Sequence, residues 1–464
     1  MAELRARRRR SWRAARAVGC AVPLLALLAQ LTGCAPAEGP TAQYPGAQQM
    51  LDARADAVRR HDATAFLASV DPRATAFRGS QRAVFDHLAV VPLADWRYDL
   101  MSTGAFPLPM GGGRRLAAQV RLRYRLKGFD TAPVTSVQYL TLTERDGRWL
   151  VSSDSDGASD GKGGTRQLWD QGPVRVVRGR YSLVLGGAAD PARLRDLANR
   201  VDAAVPAVSA AWKGEWARKV VVEAPDSVQK MAQLMGGDDP SGYAGIAAVT
   251  TGEAGASSVA PADRVIVNPD AYEELNELGR TVVLTHETTH VATRALTTPA
   301  TPLWLSEGFA DWVAYRKVHR RPTITAPELS RAVVAGRLPA GLPADADFGF
   351  RAGAERLAKA YEGGWLACRL IAEKWGEDRL IAFYRDTGRR GLRTAAARPA
   401  KPPLEARTAA PTKPAASAAP AVGGVGTRGT GRSGLVEQAM REQLGVGMAE
   451  FTAMWRAYVR RELS

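Results

Sequence analysis

Residues 285–290 read Thr-His-Glu-Thr-Thr-His. On a helix, positions i and i+4 share a face, so His286 and His290 aim their imidazoles at one point. Neutral imidazole nitrogens suit a borderline divalent ion such as Zn²⁺. Glu287 follows the first histidine and faces the open side of such a site. There it can take a proton from a water molecule as general base. Two histidines are an incomplete set, because a catalytic zinc wants three protein ligands and one open position. The third candidate is Glu307, seventeen residues past His290, within Leu303-Trp304-Leu305-Ser306-Glu307-Gly308-Phe309-Ala310-Asp311-Trp312. Asp311 falls one helical turn beyond Glu307. Its carboxylate can hydrogen-bond the outer nitrogen of a liganding imidazole, His286 being the natural choice, and so fix the tautomer. Gly308 and Ala310 are small enough to let this second helix cross the first one closely near the ligands.

The HExxH helix followed by Glu-x-x-x-Asp resembles the gluzincins, the superfamily of thermolysin and aminopeptidase N. Residues 304–310 (Trp-Leu-Ser-Glu-Gly-Phe-Ala) are similar to the Trp-Leu-Asn-Glu-Gly-Phe-Ala segment of aminopeptidase-N-like enzymes, and Tyr361-Glu362-Gly363-Gly364 is similar to their Tyr-Glu-Lys-Gly. The resemblance covers roughly 270–390. It implies a zinc metallopeptidase that hydrolyses peptide bonds with one Zn²⁺ per chain. His286, His290 and Glu307 would be the metal ligands, Asp311 would support them, Glu287 would be the catalytic base and the Tyr361 hydroxyl would stabilise the oxyanion. The chain has no Gly-x-Met-Glu-Asn segment, the element that grips a substrate amino terminus, so the resemblance does not extend to aminopeptidase specificity. The competing reading is a lipid-anchored binding protein with a non-catalytic zinc. Structural zinc sites are closed, usually by four Cys or His ligands, whereas three ligands plus a glutamate in the base position favour catalysis.

The setting is an exported one. Seven arginines (Arg5, Arg7, Arg8, Arg9, Arg10, Arg13 and Arg16) stand against Glu3 in the first sixteen residues. An apolar stretch, 17–31, follows and is too short for a comfortable membrane span, which needs about 20 residues. It ends in Leu31-Thr32-Gly33-Cys34, which resembles a bacterial lipobox. That resemblance implies a signal peptide with lipobox over 1–34 that is cleaved just ahead of Cys34, lipidation of Cys34, a tether over 35–43, and anchorage to the outer face of the bacterial cytoplasmic membrane. The chain holds three cysteines. Cys20 falls in the signal and Cys34 takes the lipid, so Cys368 has no disulfide partner. Its apolar helical context makes it a buried, inert thiol.

With 45% apolar and 24% charged residues in 464, the chain can build an ordinary globular core. The net charge of +16 gathers in the leader and in the Ala/Pro/Gly-rich stretch 393–432. No nucleic-acid-binding motif accompanies it, so the partners expected are a peptide or protein substrate and a membrane, with no nucleic acid.

Those ligands need a scaffold, and the pattern along the chain predicts an α+β protein. Residues 44–153 carry helices at Gln48–Arg60, Ala63–Val70 and Gln81–Leu88. Alternating strands then follow at Trp96–Met101, Arg115–Leu126, Val134–Thr143 and Trp149–Ser153. This element order resembles the cone of nuclear-transport-factor-2-like domains. Residues 154–168, rich in Gly, Ser and Asp, read as a linker. Residues 169–464 form the metallopeptidase domain. Strands are expected at Val174–Leu185, Lys219–Glu223, Ile246–Thr250 and Arg264–Val267, and helices at Asp190–Trp212 and Ser227–Met235. From Glu273 the chain is mostly helical, with 393–432 as a disordered insertion.

Overall fold

Three helices open the folded chain: α1 (Pro45–Arg59), α2 (Ala63–Ala68) and α3 (Thr75–Leu88). Proline at the first turn of α1 costs no hydrogen bond, and the Asp62 carboxylate caps α2 by accepting from Ala65 N. Helix α3 begins six residues before Gln81. Gly79 and Ser80 weaken its propensity, yet the Phe77 side chain packs into the core ahead of them and extends the helix. The computed structural model describes residues 43–188, 190–251, 263–349, 353–396 and 431–464. The leader, Cys34, almost all of the 35–43 tether and most of 393–432 lie outside the described residues. Met1–Gly39 and Pro40–Ser464 cluster as separate units, and every described residue belongs to the second.

The helices pack on an antiparallel meander of β1 (Leu93–Ser102), β2 (Arg115–Leu126), β3 (Val134–Arg145) and β4 (Arg148–Ser153), in that order across the sheet. Strand β2 shows the expected alternation, with Leu116, Val120, Leu122, Tyr124 and Leu126 buried. Residues 154–168 run back along this sheet. Thr165 N donates to Val137 O at 3.0 Å, and Asp156 accepts from Thr141 Oγ1 at 2.6 Å.

A second sheet follows, in the order β5-β6-β7-β9-β8. Its members are β5 (Arg175–Arg178), β6 (Ser182–Gly186), β7 (Val220–Ala224), β8 (Ala248–Thr250) and β9 (Val265–Val267). The expected single strand over Val174–Leu185 is a hairpin instead. Asp202, from helix α4 (Pro191–Ala211), accepts from Arg180 N at 2.6 Å and Tyr181 N at 2.9 Å and holds the chain in a turn. Helix α4 runs through Pro206. The buried Val205, Val208 and Ala211 on either side keep it docked despite the missing N–H. One face of the sheet joins the core of the first four strands through Leu183, Leu185 and Val221. The other face packs Val184, Val220 and Val222 against α4.

The rest is helical: α5 (Val228–Leu234), α6 (Pro269–Glu273), α7 (Glu277–Thr293), α8 (Leu303–Tyr315), α9 (Pro322–Thr325), α10 (Pro327–Val334), α11 (Ala354–Trp375), α12 (Glu377–Ala396), α13 (Arg432–Leu444) and α14 (Met448–Leu463). The architecture is thus α+β, strands first and then a largely helical region. The last two helices close the helical core. Trp455 donates its indole N–H to Gly363 O at 3.1 Å, and Arg390 of α12 pairs with Glu442 of α13. No described helix is long and apolar enough to cross a membrane.

Candidate metal centre

Helix α7 starts where the Asn276 side chain accepts from Gly279 N at 2.9 Å. Its second half is buried although it is polar. The threonines make this tolerable. Thr285 and Thr289 each donate their hydroxyl back to the carbonyl one turn earlier, at 2.8 Å, which leaves Thr288 as the threonine of this stretch with a buried, unmet hydroxyl. His286 and His290 then share a face, with ring centroids 4.6 Å apart.

Helix α8 brings in the carboxylates. Asp345 Oδ1 accepts from Leu303 N at 2.9 Å and helps fix its start. Glu307 Oε2 lies 3.3 Å from His286 Nε2 and 3.4 Å from His290 Nε2, and the two Nε2 atoms are 2.9 Å apart. All three side chains are nearly inaccessible to solvent, at 8%, 4% and 2% exposure for His286, His290 and Glu307. Asp311 Oδ1 sits 2.8 Å from His286 Nδ1. That contact places a proton on Nδ1 and turns the Nε2 lone pair toward the other two donor atoms.

The triangle fits a divalent cation. Donor atoms about 2.0–2.1 Å from one centre at tetrahedral angles stand about 3.3–3.4 Å apart. Two edges here have that length and the third is shorter. Glu307 Oε2 is a buried acceptor without a hydrogen bond, as a ligand atom would be. Two imidazoles and one carboxylate form a donor set suited to such an ion, and His286, His290 and Glu307 are the group of described residues able to hold one.

The electrostatics of the triangle are mutual. Burial opposes charge on His286, but Asp311, Glu307 and Glu287 outweigh it and hold the imidazole well above its usual value. Burial also opposes charge on Glu307, and the two imidazoles overcome that, keeping its carboxyl well below the usual carboxylate range.

Glu287 reaches the strands. Thr250 Oγ1, at the end of β8, donates to Glu287 Oε2 at 2.7 Å. Tyr361 lies on α11 with its ring 6.1 Å from His286 and edge-on to Phe348 at 5.3 Å. Next to it, Glu362 accepts from the backbone N–H groups of Glu328 and Leu329 and caps α10, and burial pushes its carboxyl up to about 7. The structure therefore gathers His286, His290, Glu307, Asp311, Glu287 and Tyr361 in one place. Cys368 is fully buried among apolar side chains, and burial pushes its thiol far up. His319 is exposed and distant in role, and His87 Nδ1 lies 2.8 Å from Trp169 O as a structural contact.

One crossing differs from expectation. The atoms nearest to a Cβ on Gly308 belong to Gly364 of α11. A Cβ on Gly308 would stand 2.2 Å from Gly364 O, and one on Gly364 would stand 2.8 Å from Trp304 O. Thr250 was not legible in the sequence either, since nothing local reveals that a short strand's last residue faces a helix 37 positions on. Asp263 is similar. It accepts from Arg294 Nε at 2.9 Å, and Arg294 in turn donates to Thr251 O, tying the end of α7 to β8. Burial outweighs Arg294, Arg264 and His290 and raises the Asp263 carboxyl to about 6.

No protein-family model, no curated protein and no solved structure matches this chain.

Proposed function

We propose that this protein is a zinc-dependent peptidase of the gluzincin type, with a nuclear-transport-factor-2-like N-terminal domain. In this reading it is exported and held at the outer face of the bacterial cytoplasmic membrane by a lipid on Cys34. The observation that carries the reading is the convergence of His286 Nε2, His290 Nε2 and Glu307 Oε2 with the Glu287 carboxylate on the same helix. When bound, zinc supplies Lewis-acid polarisation of a carbonyl and acidifies water.

The remaining chemistry belongs to the side chains. Asp311 keeps His286 in the Nδ1–H tautomer and fixes its orientation. Thr250 holds one oxygen of Glu287, leaving Oε1 to take a proton from the attacking water and pass it to the departing amine. Tyr361, beside His286, donates toward the developing oxyanion. Strand β8 is the edge of its sheet, so an extended peptide can add to it and run past Glu287.

One observation favours a second reading, a lipid-anchored binding protein with a non-catalytic metal: a cavity in the N-terminal half, treated below. A single experiment separates the two. The purified full chain, His290→Ala and Glu307→Ala are assayed for metal by mass spectrometry and for cleavage of a quenched peptide library. Zinc in the parent alone, with chelator-sensitive cleavage, supports the peptidase. Zinc without cleavage favours the binding protein. No zinc after reloading removes both readings.

A further inference from the structure

The N-terminal half holds a partly open cavity of about 70 Å³ between its helices and its sheet. Phe66, Phe77, Trp96, Tyr98 and Trp169 form much of its wall. A water needs about 10–15 Å³ on this measure, so the space holds roughly five to seven non-hydrogen atoms.

Two buried donors line it, one a cation without a carboxylate and the other an N–H without an acceptor. Arg54 is 5% exposed. Its guanidinium donates to Ser69 Oγ at 2.9 Å, to Gln81 Oε1 and to the Tyr98 hydroxyl, all neutral acceptors, and stacks on the Phe66 ring at 3.8 Å. Among the described residues no carboxylate lies within ion-pair distance of it. A buried cation of this kind carries a large desolvation cost until an anion meets it. Trp96 is 2% exposed, and its indole N–H has no hydrogen-bond partner. It too lines the cavity. Buried charges are normally paired and buried donors normally satisfied, so a buried cation with neutral partners and an unmet indole N–H on one space point to an anionic acceptor that occupies it.

The acids of the wall sit elsewhere in it. Asp154 acts on Arg54 from beyond ion-pair distance, and Asp170 does not number among the groups acting on Arg54. Asp170 accepts from Gln167 N at 2.8 Å, beside Arg166 and within reach of Asp154. The wall thus carries two cations, Arg54 and Arg166, and two acids, Asp154 and Asp170. A simple anion on Arg54 would add a third negative charge to a wall that already holds two; a ligand with both charges would not.

We infer that this cavity binds a small zwitterion of the size of glycine, alanine or serine, its carboxylate taking the N–H donors of Arg54 and Trp96 and its ammonium facing Asp170 and Asp154. Aromatic walls leave room for a short apolar side chain and exclude a long one. Nothing in this inference depends on the metal centre.

Isothermal titration calorimetry on the full chain tests it with alanine, glycine and serine, and with propionate and ethylamine as single-charge controls. Alanine is expected to bind, with both controls weaker by about tenfold or more, the scale of one charge-assisted hydrogen bond. Trp96→Phe keeps the ring and deletes only the donor. It should weaken alanine by about tenfold while leaving the circular dichroism spectrum unchanged. Absence of binding by all three amino acids overturns the inference. So does propionate binding as tightly as alanine, or a folded Trp96→Phe variant that binds as the parent does.

Discussion

Arg264 grips Asp130 with both terminal nitrogens, each 2.8 Å from a carboxylate oxygen, in a pair almost wholly shielded from water. Asp130 follows β2 in the first sheet, while Arg264 leads into β9 of the second. Glu223 of β7 stands 3.6 Å from the same guanidinium, and the Arg264 backbone exchanges hydrogen bonds with Thr251, the residue after Thr250. The N-terminal half is therefore bolted to the strand that holds Glu287.

Cutting that bolt on one side should be costly. Arg264→Met leaves two acids buried without their cation, and a loss of about 3–5 kcal/mol is expected in chemical denaturation. Adding Asp130→Asn to the same chain should restore part of it. A double variant no more stable than the single one would mean that packing, not charge, sets the cost.

The metal triangle makes separable demands on its residues. Glu287→Gln should keep zinc, because its carboxylate is hydrogen-bonded to Thr250 and is not one of the three converging groups, and should abolish peptide cleavage. Asp311→Asn should keep the fold and weaken zinc by about 10–100-fold, the usual loss when an imidazole loses its outer carboxylate. Competition with a chromogenic chelator reads the affinity. Unchanged affinity in Asp311→Asn would leave Asp311 no part in orienting His286.

Gly308→Ala should be more damaging than its size suggests. The new methyl would collide with backbone, which cannot swing aside as a side chain does. About 3 kcal/mol or more of stability should go, the upper end of overpacking, and zinc should weaken because Glu307 is the adjacent residue. Thermal unfolding with and without zinc measures both. Wild-type stability in Gly308→Ala would show that the two helices can part.

Asp170 gives the protein a pH dependence. Burial raises its carboxyl to about 6, above the usual value of about 3.9 in an unfolded chain. The folded state thus binds this proton more tightly. The stability it contributes is complete below about pH 4 and is lost as pH rises through about 6. Asp170→Asn removes that loss and can still accept from Gln167 N. The variant should gain on the parent between pH 4 and 7 by on the order of 1–2 kcal/mol. Parallel denaturation curves at the two pH values would exclude Asp170 as a source.

The sequence carried the ligand set well because helical spacing is a local rule. His286 could be paired with His290, and Glu307 with Asp311, by counting turns, and β2 could be recognised from its alternation. Long-range register could not. The hairpin at Gly179 depends on Asp202, the support of Glu287 depends on Thr250, and the charge lock depends on residues 134 positions apart. None of these pairs shares a periodicity. The Gly308–Gly364 contact was half visible: a slim helix was legible, but its neighbour was not.

That contact has an evolutionary consequence. Where helices meet through side chains, drift can be absorbed by swapping large and small residues across the seam. At Gly308 and Gly364 the seam between α8 and α11 offers no such exchange, since backbone touches backbone there. Glu307 and Tyr361 ride on either side of it, so neither can be re-aimed gradually. Lineages descended from this chain should retain both glycines together with the centre, or lose the centre outright.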